Sequence, residues 1–313
     1  MRGGRVLHAG PAIVDVSMRV PSMPTPGGDV YATDSRITAG GGFNVMAAAA
    51  RDGAEVLYLG ARGDGAFSRI VDAALLAEGI ALPSQEFGGV DVGYCIAFVD
   101  PAGERTFVSV LGAEGLDNSS SLESVEPADG DIVYVTGYSM LNEASRGALM
   151  RWLPGLPAGV RLVVDPSPLV ADLPDDALDL LRRQAWLWTL NGAEALALQE
   201  RFDPEASNPD SQVAPITWVT SWIDGAVVLR EGADGCWVST QDEAPAVHCP
   251  ATVVDAVDTT GAGDAHTGVL MAALARSAAL SDAAARANIA AAISVTRRGP
   301  ATAPTSAEIE AAR

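Results

Sequence analysis

The chain has 313 residues, of which 48% are hydrophobic and 19% charged, so it can bury a sizeable core and does not have the composition of a disordered protein. Its formal net charge of −20 argues against nucleic acid or an anionic membrane as a partner, because the overall field repels polyphosphate. The three cysteines, Cys95, Cys236 and Cys249, are too few and too scattered for a disulfide framework or a zinc site.

No apolar stretch of the sequence has the pattern of a secretory signal or a membrane span. The first apolar stretch is interrupted by His8 and Asp15, which leaves no continuous signal core. The alanine-rich stretch 265–295 is broken by charged residues such as Arg286, so it falls short of the run of about 20 apolar residues that a membrane span needs. We therefore expect a cytoplasmic protein.

Short β-branched runs recur along the chain, with helical segments between them. Nearly continuous apolar runs are typical of strands buried on both faces. This alternation predicts an α/β fold with a doubly wound, mostly parallel sheet flanked by helices. Residues 202–215, rich in proline and polar residues, predict an exposed loop. The predicted strands are 56–59, 132–135, 161–164, 185–189 and 226–229.

Two intervals break this alternation. One lies early in the chain, and the other contains two alternating runs, 93–100 and 105–110, joined by the turn-rich segment 101–104, which is a hairpin pattern. We interpret both intervals as strands of a small separate sheet that covers a site as a lid. The predicted division places 13–38 and 92–111 in the lid and 1–12, 39–91 and 112–313 in the core.

A glycine-rich segment near the C-terminus predicts an anion-binding turn. The segment Asp258-Thr-Thr-Gly-Ala-Gly-Asp264 precedes a run, 265–275, whose larger apolar residues fall on one helical face. The glycines therefore lie at a helix N-terminus, where unpaired backbone N–H groups and the helix dipole favour an anion. The candidate donors are the N–H groups of Gly261, Ala262 and Gly263.

The carboxylate of Asp264 would lie beside that anion, in the first turn of the helix. There it can accept the proton of a hydroxyl group that attacks a bound phosphoryl group. The alternative is structural: the segment is a helix start capped by Thr259 or Thr260, with an acidic first turn.

A second glycine-rich segment, 38–50, opens with three consecutive glycines and continues as a helix-forming run. It is neither Gly-x-Gly-x-x-Gly nor a P-loop. The amides of Gly41 and Gly42 and the side chain of Asn44 are neutral groups that suit sugar hydroxyls. The alternative is a glycine turn with no role beyond starting a helix.

Together these segments resemble the ribokinase-like (PfkB) carbohydrate kinases. Gly40-Gly-Gly-Phe-Asn44, Gly63-Asp-Gly-Ala-Phe67, Asn191-Gly-Ala-Glu194 and the 258–264 segment occur in the order and spacing of that family, and the last motif is highly specific. The resemblance runs from about Val6 to Gly299. It implies a ribokinase-like fold and an enzyme that moves the γ-phosphate of ATP to a hydroxyl of a small sugar or related polyol.

The resemblance also implies roles for individual residues. On the acceptor side, Asp264 resembles the base and Gly261, Ala262 and Gly263 the anion hole. Asp15 resembles the acidic residue that binds the acceptor from the edge of the lid, opposite Gly41, Gly42 and Asn44. On the nucleotide side, Asn191 and Glu194 resemble the pair that positions Mg²⁺, largely through water. Arg230, Gly232 and Gly235 resemble the strand and turn beside the phosphates, and Asn288 the residue near adenine.

Two departures, at Ala303 and Gly41, qualify the resemblance. Asp258, Thr260 and Gly299 correspond to a loop that binds a monovalent cation in some members, which makes K⁺ a candidate cofactor, although Ala303 stands where such members often have a hydroxyl. Ribokinases proper have a lysine where this chain has Gly41, so ribose is not carried over as the acceptor.

His266 stands where the family commonly has phenylalanine. It could tune Asp264 or touch the acceptor. The simpler interpretation is a helix-surface imidazole or a buried one with its hydrogen bonds satisfied.

Alternatives to a sugar kinase remain open at this point. A nucleoside kinase has the same motifs, and a sugar-binding sensor that has lost catalysis is the hypothesis from a different class. Phosphosugar acceptors are disfavoured because the acceptor segments, residues 6–20, 39–45 and 94–110, contain few cations besides Arg19 and Arg105. Exposed lid strands could also pair with a second copy of the chain, because unpaired sheet edges tend to find partners.

Overall fold

The computed structural model describes residues 3–205, 215–240 and 243–313. Most of the predicted exposed loop, residues 206–214, lies outside these ranges. No helix among the described residues is long and apolar enough to cross a membrane. The strands are β1 (Val6–His8), β2 (Ala12–Arg19), β3 (Asp34–Gly41), β4 (Val56–Tyr58), β5 (Arg62–Gly63), β6 (Glu86–Phe87), β7 (Tyr94–Val99), β8 (Arg105–Val110), β9 (Ile132–Thr136), β10 (Arg161–Asp165), β11 (Leu187–Asn191), β12 (Ala226–Arg230), β13 (Cys236–Thr240) and β14 (Glu243–Cys249).

The helices alternate with the strands of the larger sheet. They are α1 (Gly42–Arg51), α2 (Ala66–Ala77), α3 (Ser119–Leu122), α4 (Gly137–Leu141), α5 (Glu143–Trp152), α6 (Asp175–Gln184), α7 (Gly192–Phe202), α8 (Pro215–Trp222), α9 (Ala262–Ala275), α10 (Leu280–Val295) and α11 (Ser306–Ala311).

The larger sheet has eight strands in the order β14-β13-β12-β11-β10-β9-β1-β4. All neighbouring strands from β12 to β4 are parallel, while β13 and β14 continue the sheet antiparallel. One face packs against α1, α2, α9 and α10, and the other against α5 to α8, so the apolar side chains form two core layers. The predicted doubly wound α/β sheet is confirmed.

A second sheet of four strands, in the order β3-β2-β7-β8, forms the small separate sheet. β7 and β8 are the predicted hairpin, and β2 pairs antiparallel with β3 and parallel with β7. These strands lie in the two intervals that broke the α/β alternation. The domain boundaries at 13–38 and 92–111 remain our proposal.

Helix α9 differs from its prediction in one respect. The sequence pattern predicted a single apolar face, but every residue from Ala265 to Ala275 is buried. The helix is covered by α1 and α10 as well as by the sheet, and its small residues let these neighbours approach closely. Gly268 shows this, because a Cβ there would overlap the backbone carbonyl of Val45 in α1.

Candidate active site

Polar side chains meet where the parallel strands of the large sheet end. Asp165, Asn191 and Arg230 are the last residues of β10, β11 and β12, which are neighbours in the sheet. The carboxyl edge of such a sheet is where ligands bind in open α/β folds. The start of α9 and the lid strand β2 contribute the remaining groups described below.

The turn before α9 is a glycine turn that no side chain caps. Gly261 has a φ of 77°, a left-handed conformation that favours glycine, and a Cβ there would overlap the carbonyl oxygen of Pro300. The alternative of a threonine cap is therefore wrong. Ala262 N–H donates to Thr259 O at 3.2 Å. In the described part of the chain, the N–H groups of Gly261 and Gly263 have no acceptor, so they can bind an anion.

The carboxylate of Asp264 lies in the first turn of α9. Its Oδ2 accepts a hydrogen bond of 3.1 Å from Asn44 Nδ2. Burial raises the pKa of Asp264 to about 7, and the charge of Asp165 adds to this, against the Asn44 hydrogen bond and Arg230. A carboxylate with a pKa near neutrality can accept a proton efficiently at physiological pH. The Oδ1 atom of Asn44 is buried without a partner among the described residues, so it is available to a ligand hydroxyl.

Asp15 approaches this group from the lid. It lies on β2, and its carboxylate packs against Gly40, where a Cβ would overlap both carboxylate oxygens. Burial raises the pKa of Asp15 to about 6, and its charge contributes to the raised pKa of Asp264. The structure thus brings together two carboxylates that the sequence separates by most of the chain.

The glycines between these carboxylates leave room for a ligand. Gly41 has a φ of 58°, which favours glycine. At Gly42 a Cβ would overlap the ring of His8, a buried side chain whose Nδ1 accepts from Gly10 N–H at 3.1 Å. His8 was not recognised from the sequence, because its part in shaping the glycine segment depends on packing.

The Asn191-x-x-Glu194 motif forms a capping box at the start of α7. Asn191 Oδ1 accepts from Glu194 N–H at 2.9 Å, and Glu194 Oε2 accepts from Asn191 N–H at 2.8 Å. Burial raises the pKa of Glu194, and Asp165 raises it further. Both predicted side chains therefore start a helix at the carboxyl edge of the sheet.

Arg230 connects the strand ends to the glycine turn. Its Nη1 donates to Thr267 Oγ1 at 2.9 Å and to Gly263 O at 3.4 Å. Its Nη2 lies 3.1 Å from Asp165 Oδ2 and 3.5 Å from Glu194 Oε2. The guanidinium is thus fixed directly behind the turn that offers the free N–H groups. Asp165 and Thr267 were not recognised from the sequence, although Asp165 directly follows a predicted strand.

The remaining residues predicted for the nucleotide side lie around the end of β14. Gly232 and Gly235 have φ values of 59° and 98° in the turn before β13. Asn288 Nδ2 donates to Cys249 O at 2.9 Å and to Pro250 O at 3.2 Å. The amide nitrogen of Asn288 is therefore already engaged, and it anchors the start of the loop that leads to the glycine turn.

The predicted cation loop is held together by the carboxylate of Asp258. Its Oδ1 accepts from the backbone and hydroxyl of Thr260 and from Arg105 Nη2 at 2.9 Å, and its Oδ2 accepts from Gly299 N–H at 3.0 Å. Burial by itself would raise the pKa of Asp258, but these hydrogen bonds and the charge of Arg105 lower it. Arg105 belongs to lid strand β8, and this contact was not foreseen from the sequence.

His266 is buried beneath the site. Neither ring nitrogen has a hydrogen-bond partner among the described residues, and Asn288 lies near the ring outside hydrogen-bond geometry. Burial lowers the pKa of His266 to about 3. The expectation of a helix-surface imidazole is wrong, because the residue is only 3% exposed.

Comparisons with known proteins agree with this architecture. The chain is 30% identical over 305 residues to the uncharacterized sugar kinase YegV of Escherichia coli strain K12, covering 97% of this chain and 92% of that protein. It is 28% identical over 316 residues to the ATP-dependent ribose-1-phosphate kinase of Halopiger xanaduensis, covering 98% and 97%. The crystal structure of ribokinase from Cryptococcus neoformans in complex with ADP has the same fold, with a TM-score of 0.79 at 21% identity over 99% of each chain. The family model for pfkB family carbohydrate kinases matches residues 5–307, and the chain belongs to this family.

Proposed function

We propose that this ATP-dependent sugar kinase uses Asp264 as the base that activates the acceptor hydroxyl. Family membership supports transfer of the γ-phosphate of ATP to a sugar or sugar-like acceptor. One observation carries the assignment of the base. A carboxylate whose pKa is about 7 lies in the same helical turn as the free N–H groups of Gly261 and Gly263.

The acceptor binds between the lid and the glycine segment. Asp15 and the free Oδ1 of Asn44 accept hydrogen bonds from its hydroxyls, and Gly41 and Gly42 let it approach the backbone. Asp264 then takes the proton of the reacting hydroxyl as that oxygen bonds to the γ-phosphorus and the bond to ADP breaks. The anion hole and Arg230 stabilise the charge on the transferred group.

The nucleotide side fits a magnesium ion that arrives with the triphosphate. No group of three or more acidic, histidine or cysteine side chains in the described chain is arranged to hold a metal by itself. Asp165 at the end of β10 and Glu194 in the first turn of α7 offer carboxylate oxygens, and Mg²⁺ commonly uses one or two carboxylates together with phosphates and water. When bound, the ion would neutralise charge on the β- and γ-phosphates. Arg230, Gly232 and Gly235 lie beside the phosphates in this proposal.

Stimulation by K⁺ remains a prediction of the sequence. The structure brings Asp258, Thr260 and Gly299 together, but the carboxylate of Asp258 already receives four hydrogen bonds, one of them from Arg105. A monovalent cation there would therefore depend on backbone carbonyls. Equal activity in K⁺ and in tetramethylammonium would remove K⁺ from the list of cofactors.

A substrate panel tests the proposed function. Purified protein is incubated with ATP and Mg²⁺ and with individual sugars, polyols, sugar acids, sugar phosphates and nucleosides, and phosphorylated products are identified by mass spectrometry. We expect transfer to one class of sugar, and preferred transfer to nucleosides would select the nucleoside kinase alternative. If no acceptor gains phosphate while one of them raises the melting temperature, the chain is a sugar-binding sensor.

Two further expectations remain predictions of the sequence: a cytoplasmic location and a homodimer formed through the lid. The outer lid strand β8 is exposed along its whole length, including Phe107 and Val108, and a free sheet edge of this kind favours pairing. Light scattering of the wild type and of Val108→Glu tests the dimer, and a monomeric wild type would exclude it.

A further inference from the structure

The arginines of this chain divide into two groups by their partners. The chain contains no lysine, so arginine is its only strongly basic side chain. In the residues that the structure describes, every arginine side chain other than Arg19, Arg36 and Arg298 donates to a carboxylate or a backbone carbonyl of the protein. These three guanidinium groups are exposed, so their N–H donors are open to a ligand, and guanidinium groups suit an anionic one.

Two of the unpaired arginines lie on the lid face that carries Asp15. Asp15, Ser17 and Arg19 alternate along β2, so their side chains leave the same face of the sheet. Arg36 of β3 lies directly opposite Ser17, and Arg105 of β8 lies in the same cross-strand row as Arg19. This face therefore presents three guanidinium groups together with the acceptor-binding carboxylate.

The same face of the lid contacts the loops beside the glycine turn, at Asp258 and Gly299. Arg105 Nη2 lies 2.9 Å from Asp258 Oδ1, and Arg36 Nη1 lies 3.4 Å from the position that a Cβ on Gly299 would take. The third unpaired arginine, Arg298, directly precedes Gly299. The fold thus brings lid arginines to the loop around Gly299, and Arg298 is the residue before that glycine. We call Arg19, Arg36, Arg105 and Arg298 together the lid arginine cluster.

We propose that the lid arginine cluster binds an anionic group of the acceptor, so that the substrate class is a sugar phosphate or a sugar acid. This inference rests on the proposed function and specifies its acceptor. Guanidinium groups suit phosphate and carboxylate because they donate two parallel hydrogen bonds. A strongly acidic protein also needs such a local cluster to hold an anionic substrate against its overall field. Two carboxylates lie at the cluster: Asp258 contacts Arg105, and Asp34 of β3 lies directly opposite Arg19.

The spacing suits an acceptor with a hydroxyl at one end and an anion at the other. The row of Arg36 is two residues along β2 from Asp15, or about 7 Å, which is the span of a five- or six-carbon sugar. The sequence disfavoured phosphosugars because the acceptor segments showed few cations. Arg36 and Arg298 lie outside those segments, and folding brings them to the cleft.

The test compares matched acceptors with and without the anion. With ATP and Mg²⁺, kcat/KM is measured for fructose against fructose 6-phosphate and for glucose against glucuronate; the first pair tests phosphate and the second carboxylate. We expect one anionic member to exceed its neutral partner by about 10–100-fold. Arg36→Ala and Arg298→Ala should each lower that anionic-to-neutral ratio about tenfold. Arg183→Ala is the control, because this exposed arginine pairs with Asp179 of its own helix.

Other results would overturn the assignment. The cluster does not bind the acceptor if the neutral sugars are preferred. The same holds if Arg36→Ala raises the KM for ATP and leaves the anionic-to-neutral ratio of kcat/KM unchanged. The second result would assign the arginines to the phosphates of the nucleotide. Failure to phosphorylate any acceptor of the full panel, neutral or anionic, would instead count against the kinase activity itself.

Discussion

Replacing Asp264 with asparagine tests two properties of the proposed base. One is its part in phosphoryl transfer, and the other is the free energy of unfolding that its buried charge costs. The asparagine has nearly the same shape, and its side-chain oxygen can still accept the hydrogen bond from Asn44, which spans 3.1 Å in the wild type. It cannot accept a proton from the acceptor. Phosphoryl transfer should therefore fall by about 10²–10⁴-fold, the usual contribution of a positioned base, while binding of ATP and acceptor persists.

The same substitution should stabilise the protein at neutral and higher pH. Folding raises the pKa of Asp264 from 3.8 to about 7. The unfolded chain therefore loses this proton first as the pH rises, and the wild type loses stability between about pH 4 and pH 7. A shift of three pKa units lowers the free energy of unfolding by at most about 4 kcal/mol. Partial solvation of the carboxylate reduces this loss to about 2–3 kcal/mol. The asparagine variant has no charge to bury, so its free energy of unfolding does not fall in this way.

Urea denaturation of both proteins at pH 5 and pH 8 measures the effect. The stability advantage of the variant should be about 2 kcal/mol larger at pH 8 than at pH 5. Asp29→Asn, which removes an exposed carboxylate, is the matched control and should show no such change. Equal pH dependence of wild type and Asp264→Asn would refute the buried-carboxylate argument, and near-normal turnover would remove Asp264 from the mechanism. In the wild type, kcat/KM should rise with pH through about 7, because the base must be ionised.

Three further substitutions test other parts of the site. Arg230→Gln leaves two buried carboxylates without their cation, so it should lower kcat about 100-fold and cost about 3 kcal/mol in urea denaturation; unchanged values would contradict the proposed role. His266→Phe removes two ring nitrogens that lack partners and should stabilise the protein by about 1–2 kcal/mol, whereas a loss of activity would reveal a catalytic contribution. Gly42→Ala introduces a methyl group that overlaps the ring of His8 and should raise the KM for the acceptor about tenfold or more. Gly155→Ala, where a Cβ meets nothing, is its control, and an unaffected KM in Gly42→Ala would show that the glycine segment can shift without cost.

The parts of the fold that were predictable are those encoded locally. The run Ile132–Thr136 is apolar at most positions because both faces of its strand are covered, so its pattern alone identifies a central strand. The 258–264 segment was recognised because its glycines and its carboxylate share one turn. The N–H groups and the carboxylate of one turn are neighbours in the sequence, so they lie close together whatever the rest of the chain does.

The parts that were missed depend on distant contacts. Arg105 and Asp258 are 153 residues apart, and no local pattern marks them as partners. Thr267 stands beside Arg230 only because α9 packs against the sheet at that level. The burial of α9 on every side from Ala265 onward was also not predictable from the pattern, because alanines can be buried on every side without producing an apolar face that differs from the rest.

The contact between Arg105 and Asp258 bears on how much ATP is hydrolysed when no acceptor is bound. The lid hairpin is fastened to the loop that leads into the anion hole by one ion pair whose arginine remains over a third exposed, and such pairs contribute about 0–1 kcal/mol. A fastening this weak can release in every turnover. Since an open lid withdraws one donor from Asp258, the loop keeps all four of its hydrogen bonds only while the hairpin is closed. Water that enters an open cleft would then find the loop before α9 held less firmly. This would limit hydrolysis of ATP in the absence of an acceptor.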